Sequence, residues 1–517
     1  MFYMAANAPE IIFRGCRTIR RMPIVAPSFF AGRARLLSAA AAVHFVAAWF
    51  SAGHFNFDEH TNIINFAAFY LGMDGGDELT YYKLRSMFMP AVVVAAVKIL
   101  SATGIDSPFA WAFSLRVLST VLALSATAVF CRAFAGEIKG EAVRRYIFAA
   151  MLFLYPLVFY HVRFSAEGWM SSFLLLALAA HRVAGENDLR ESSARGFALR
   201  IVAGAFLGLM FLSRYQGALI VAPLFLWAVC INRESPRQIA GYAAGFAAAF
   251  GFGTVLDFRL YDAPVLPWLE YARFHFAENF PGAPRPWYAY FTRIFVMLPP
   301  ASLFAPLIVA VFYWKFPRHI FTWATAAFVV FHLLVANKQT RFLYPLLPFL
   351  PFMCAALWEA SPPPPLSRAR RWIPRVLRVS AAVNIPPLLF VMFFPASKEV
   401  ALLQNCIIPR IAGEKAAVYV ADKSDFAVLE LNLGFYGAED ADFFPLRPAA
   451  DFAPPENYDI VLFASRRAKI APPPDADARL VCRALPEWIL AFNINDWTRR
   501  ASVWRVWEIP PRGEKQK

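Results

Sequence analysis

The chain has 517 residues, 59% of them hydrophobic and only 17% charged, where a soluble domain is nearer half apolar and a quarter charged. That composition excludes an ordinary soluble enzyme and points to a polytopic α-helical membrane protein. The net charge of +15 invites a nucleic-acid reading, but the arginines cluster in short gaps between apolar segments, as in cytoplasmic loops, not on a basic binding face.

The N-terminus is basic, with Arg14, Arg17, Arg20, Arg21, Arg33 and Arg35. No small-residue cleavage site follows a short apolar core. Residues 1–34 therefore read as a cytoplasmic N-terminus ahead of a retained anchor. Residues 35–53 are the first span. The stretch FNFDEHTNIINFAAFYLG follows and places Asp58, Glu59 and His60 side by side. The next apolar run, 88–101, would be ~21 Å long as a helix against a hydrocarbon core of ~30 Å, and it carries Lys98. Charge gives an independent test. If this run crossed the membrane, Arg132, Lys139, Arg144 and Arg145 would fall outside. If it lies at the interface, that loop falls inside. So do the later loops with Arg182 to Arg200, Arg233 and Arg237, Lys315 and Arg318, and Arg368 to Arg378.

The expected spans are then 35–53, 111–131, 146–161, 167–183, 198–213, 216–231, 238–256, 293–313, 320–336, 342–358 and 376–394, about 11 transmembrane helices within a catalytic domain at 35–395. The outer face receives the loop 54–110 with its interfacial helices, the loop 257–292, two short turns at 162–166 and 337–341, and the tail 396–517. In the tail AAVYVA, DIVLFA and SVWRVWEI read as strands, and SDFAVLELNLGFYG as a helix ending at Gly. This predicts a small C-terminal α/β domain on the outer face. Cys406 and Cys482 could pair there if the compartment is oxidising. No cysteine spacing resembles a zinc site.

Polar residues at the outer ends of spans are functional candidates: Asp58, Glu59, His60, Lys83, Arg85, His161, Arg163, Glu167, Arg214, Asp257, Arg259, Lys338 and Arg341. A carboxylate could serve as general base and several cations could hold a phosphate at the interface, which a lipid-phosphate substrate would require. The bland readings stand beside these. Span-end Arg and Lys snorkel to headgroups, His161 suits a satisfied interfacial histidine, and Asp58 suits a helix N-cap. Asp58 and Glu59, as helix neighbours, point ~100° apart and are not a facing glycosidase pair.

One span, an outer Asp-Glu, interfacial helices and many further spans together resemble the GT-C glycosyltransferases. The details are similar to glycosyltransferase family 22, the polyprenyl-phosphate-mannose mannosyltransferases of GPI-anchor and N-glycan assembly and their bacterial relatives. FNFDEHTN keeps Asp58, Glu59 and Asn62 of the family's first outer motif but lacks its His-Pro. LRSMFMP keeps Arg85, Ser86 and Pro90, SLRVLS supplies Arg116, and VRFSAEGW echoes a further motif from Arg163. LDFRLYD gives Asp257 and Tyr261. NKQTRFLYPLLP keeps Lys338, Arg341 and Phe342 while Asn337 and Gln339 replace the family's His and Glu.

The resemblance implies an inverting transfer of mannose from polyprenyl-phosphate mannose to a lipid-linked or glycan acceptor on the periplasmic or lumenal face, with no metal or other cofactor. Asp58 would be the base and Glu59 would orient the acceptor or sugar. Asn62, Lys83, Arg85, Arg163, Asp257, Tyr261, Lys338 and Arg341 would bind substrate, with Lys338 and Arg341 on the donor phosphate. A bacterial inner membrane with the active site and tail in the periplasm is the expected location. Three other readings remain open: a GT-C transferase of glucose or aminoarabinose, a lipid or glycan transporter, and a scaffold displaying the tail.

Overall fold

The computed structural model describes residues 32–55, 59–73, 83–188, 193–277, 285–360, 372–421, 435–436, 441–446, 457–467, 469–473, 476–499 and 501–510. The helix expected from residue 424 onward lies outside them, apart from a turn at Phe435 and Tyr436. The chain divides into two compact units. One comprises Met1–Phe45 and Ser119–Phe390, the other Val46–Leu118 and Val391–Lys517.

The first unit is helical. Among the described residues, Pro108–Glu137, Ala194–Ser213, Pro236–Leu260 and Ile373–Phe393 are long and apolar enough to cross a membrane, and two bent pairs would each add one. Of the other predicted spans, that at 167–183 is one long helix, Ala166–Asp188, less apolar than those four, and the rest are shorter or interrupted, as in Ala34–Phe50, Ala301–Lys315 and Ile320–Leu334. Three expected single helices are broken. The segment predicted at 146–161 is Glu141–Phe153 and Tyr155–His161, bent by 53°. Pro156 is tolerated in the first turn of the second helix, where no intrahelical N–H is needed, but it cannot continue the first. The break would strand two backbone groups among apolar side chains. The Asn384 amide closes it, accepting from Tyr155 N–H at 2.9 Å and donating to the Phe153 carbonyl at 2.8 Å. Such satisfaction is obligatory in hydrocarbon. The segment at 342–358 is likewise Thr340–Leu346 and Phe349–Glu359 at 56°, with Pro345 and Pro348 at the bend. That at 293–313 is interrupted between Ala289–Phe295 and Ala301–Lys315, with Pro299 and Pro300 in the gap.

Glycine sets the closest helix contact. A Cβ on Gly245 would fall 1.9 Å from the Ile201 carbonyl oxygen, and one on Gly204 2.1 Å from that of Tyr242. Ser193–Ser213 and Pro236–Leu260 therefore meet backbone to backbone, as small residues allow between membrane helices.

The second unit carries a five-stranded sheet. β1 (Ala416–Ala421) lies parallel between β2 (Ala441–Leu446) and β3 (Ile460–Ser465). β5 (Arg505–Ile509) is antiparallel to β3 and to β4 (Arg479–Arg483), giving the order β2-β1-β3-β5-β4. Ala421, Val461, Phe463, Trp507 and Ile509 pack in its core. Sequence reading located β1, β3 and β5 and missed β2 and β4. ADFFPL contains a proline and RLVCR is charged at both ends, so neither shows a clean period of two. Cys406 and Cys482 form a disulfide. The helix expected at 88–101 is Phe88–Ala102.

Candidate active site

In the helical unit a carboxylate gathers two guanidiniums. Glu167 lies in the first turn of Ala166–Asp188. The preceding turn folds back so tightly that a Cβ on Gly168 would lie 3.0 Å from the Tyr160 carbonyl oxygen. Arg214 donates to Glu167 through Nη1, and Arg341 Nη1 lies 3.6 Å from the same oxygen. All three are buried. Arg214 also donates to Gln216 Oε1 at 3.2 Å, and Gln216 donates to the Tyr271 hydroxyl. Arg341 Nε donates to Gln339 Oε1 at 2.7 Å. The Phe342 ring lies 5.1 Å from the Arg214 guanidinium and 5.3 Å from that of Arg341, so it fixes both planes.

Lys338, three residues before Arg341, is 3% exposed. Its ammonium donates to the Val335 carbonyl, which uses one of three N–H donors. Among the described residues no carboxylate lies within salt-bridge distance of it. Burial pulls its pKa below the usual lysine value. A cation covered by protein with donors to spare is a site for an anion.

Arg163 is buried, with its guanidinium 4.4 Å from the Phe159 ring centroid. Asp257 and Tyr261 share one turn. Asp257 is buried near the end of Pro236–Leu260, and the Tyr261 N–H donates to its carbonyl. His161 is hydrogen-bonded to His44 (Nδ1 to Nε2, 3.1 Å), and His44 Nδ1 bonds the Ala40 carbonyl. Sequence reasoning missed Tyr290, which is fully buried. Burial pushes its hydroxyl up to about 12 against the opposing pull of the Gln339 backbone and the Arg214 charge. It stands in an aromatic-rich stretch, and nothing there distinguishes it from an interfacial belt residue.

The second unit holds the other candidates. Asp58 lies outside the described residues. Glu59 already has helical dihedrals and precedes the π-helical turn His60–Asn65; its Oε2 accepts from Phe55 N–H at 3.2 Å. Asn62 is half-buried on that turn. Lys83 and Arg85 are half-buried in the non-helical stretch before Phe88–Ala102. Arg116 is buried and donates to the Ala48 carbonyl at 2.7 Å. Among the described residues no three His, Cys, Asp or Glu side chains group as metal ligands.

Apolar helices, a small sheet domain and buried charges among the helices describe an integral multi-pass membrane protein. The fold is that of ArnT from Cupriavidus metallidurans. The structure of that protein bound to undecaprenyl phosphate superposes with a TM-score of 0.57 at 13% identity, covering 93% of this chain and 98% of ArnT. Its apo structure gives 0.52 at 14%, covering 92% and 98%. The chain belongs to the Alg9-like mannosyltransferase family, whose model matches residues 35–411. It is also similar to GPI mannosyltransferase 3 of Yarrowia lipolytica, 24% identical over 294 residues, or 56% of this chain. That match spans about half (54%) of the relative's length.

Proposed function

We propose that the protein transfers mannose from polyprenyl-phosphate mannose to a lipid-linked or glycan acceptor, inverting the sugar, on the outer face of a bacterial inner membrane. The observation that carries the reading is Lys338, a buried ammonium with N–H donors to spare and no described carboxylate beside it. Lys338 and Arg341 would hold the donor phosphate, with Arg214 and Glu167 fixing the orientation of Arg341. Family membership supports mannose as the sugar. ArnT bound to undecaprenyl phosphate supports a polyprenyl-phosphate donor on this fold. The Cys406–Cys482 bond supports an oxidising, outer compartment for the sheet domain.

The acceptor oxygen bonds to the sugar C1 as the C1–O bond to phosphate breaks. The lipid phosphate leaves with the electron pair, and the acceptor proton passes to Asp58. A carboxylate of ordinary pKa suffices, because the hydroxyl becomes acidic only as the new bond forms. Lys338 and Arg341 stabilise the charge that the phosphate gains. Glu59 orients the acceptor or sugar. Arg85, Arg163, Asn62, Lys83, Asp257 and Tyr261 contribute to binding.

The test is transfer in proteoliposomes with polyprenyl-phosphate mannose or glucose as donor. Mannose transfer that falls ~10²- to 10⁴-fold in Asp58→Asn is the expected result. Transfer from the glucose donor alone overturns the sugar assignment, and full activity of Asp58→Asn overturns the base.

A further inference from the structure

The segment bearing Asp58 and Glu59 grows out of a junction with the sheet domain. The Ala52 carbonyl accepts from both Ala396 and Ser397 N–H, each at 3.0 Å. Gly53 adopts φ +83°, and a Cβ there would lie 2.5 Å from Ser397 Cβ and 3.0 Å from Val400 Cβ. Glycine is needed at 53 for its conformation and for the space. Ser397 caps the short helix Lys398–Leu402, accepting from Val400 N–H at 3.4 Å, and it donates to Glu399 Oε2 at 2.9 Å. Glu399 Oε1 accepts from Trp504 Nε1 at 2.8 Å. Trp504 is buried one residue before β5. Lys398 donates to the Ser502 carbonyl at 2.9 Å, and the Val503 N–H donates to the Arg466 carbonyl after β3 at 2.9 Å. A continuous relay thus runs from the sheet through Trp504, Glu399 and Ser397 to Gly53, five residues before Asp58.

The far end of the same loop is seated on the same domain. Phe109 stacks on Tyr436 with centroids 5.7 Å apart, and Trp111 meets Phe435 edge-on at 6.0 Å. Residues 46–118 form one compact unit with 391–517, so both ends of the 54–110 loop are fixed by the sheet domain.

Resting on the proposed role of Asp58, we propose that the C-terminal domain is a positioning domain for catalysis, with Gly53, Ser397, Glu399 and Trp504 as positioning residues that aim the Asp58–Glu59 segment. Misplacement of a base by about 1 Å costs on the order of 10²-fold, so a slack relay lowers kcat while leaving donor KM unchanged.

The experiment compares Glu399→Ala, Glu399→Gln and Trp504→Phe in the full-length protein in nanodiscs. The readouts are kcat, donor KM and hydrogen exchange of the peptide spanning residues 50–60. Glu399→Ala and Trp504→Phe are expected to lower kcat about 10- to 100-fold at constant KM and to speed exchange in that peptide. Glu399→Gln, which keeps an oxygen acceptor for Trp504, is expected to retain most of both. Unchanged kcat and exchange in Glu399→Ala and Trp504→Phe overturn the proposal. So does equal loss in Glu399→Ala and Glu399→Gln with exchange at 50–60 unmoved. Asp58→Asn run in parallel separates the two claims. If it keeps full activity, the base assignment fails, while the exchange data still decide the relay.

Discussion

Replacing Lys338 by methionine separates a substrate-binding cation from a structural one. The ammonium uses one donor on the Val335 carbonyl, leaving two for a phosphate oxygen. A hydrogen bond involving a charged group contributes about 1.5–3 kcal/mol. At about 1.4 kcal/mol per decade, loss of one such bond lowers kcat/KM for the donor roughly 10- to 150-fold. Stability moves the other way. The folded-state pKa of Lys338 lies below its ordinary value because burial disfavours the charged form. The unfolded chain therefore binds the proton more tightly, and the penalty is fully present below the folded pKa. It is relieved only as pH rises through the folded pKa toward the unfolded one. Methionine keeps the volume and removes the charge, so the thermal midpoint is expected to hold or rise. The assay pairs initial rates against donor concentration with a thermal unfolding curve of the same preparation. Unchanged transfer refutes the phosphate role, and a parallel fall of activity and midpoint shows that Lys338 serves the fold instead.

Asn384→Leu strips both partners from the break at Leu154. It is expected to cost about 2–6 kcal/mol, from ~1–3 kcal/mol for each of the two buried groups left unsatisfied, seen as a lower midpoint with donor KM unchanged. Cys406→Ala with Cys482→Ala opens a loop of 76 residues. Chain entropy predicts a loss of about 4.5 kcal/mol, measurable as lower resistance of the C-terminal domain to protease. In Glu399, burial acts to raise the carboxyl pKa, but bonds from its own backbone, Trp504 and Ser397 and the Arg466 charge outweigh it, leaving the pKa below the ordinary value. Its stabilisation is present above pH ~4.5 and is lost as pH falls through the folded pKa. Exchange in residues 50–60 should therefore rise on acidification below that point, and less so in Glu399→Gln.

Much of the helical unit was legible because hydrocarbon imposes a simple rule. A segment buried in lipid must be apolar and must bond its own backbone, so spans and basic loops are written in composition. The same rule made Lys338 and Arg341 conspicuous, since a charge beside a span is costly enough to need a reason. The breaks were not legible. A proline at 156 permits a bend, but whether the chain bends depends on an amide supplied from position 384, more than 200 residues away. Glu167 and Arg214 were visible as interfacial charges, yet nothing local says that they pair with each other and with Arg341.

The sequence by itself determined that this chain is a multi-pass membrane protein of the Alg9-like family, because apolarity, charge distribution and ordered motifs are local properties. Only tertiary structure decided that Lys338 is a cation under protein cover with no carboxylate in salt-bridge distance among the described residues, that Tyr290 stands within reach of the Arg214 charge, and that the sheet domain holds both ends of the loop bearing Asp58. These depend on burial and on contacts between residues far apart in the chain. Such contacts leave no periodicity or spacing in the sequence, because the chain brings them together only when it folds.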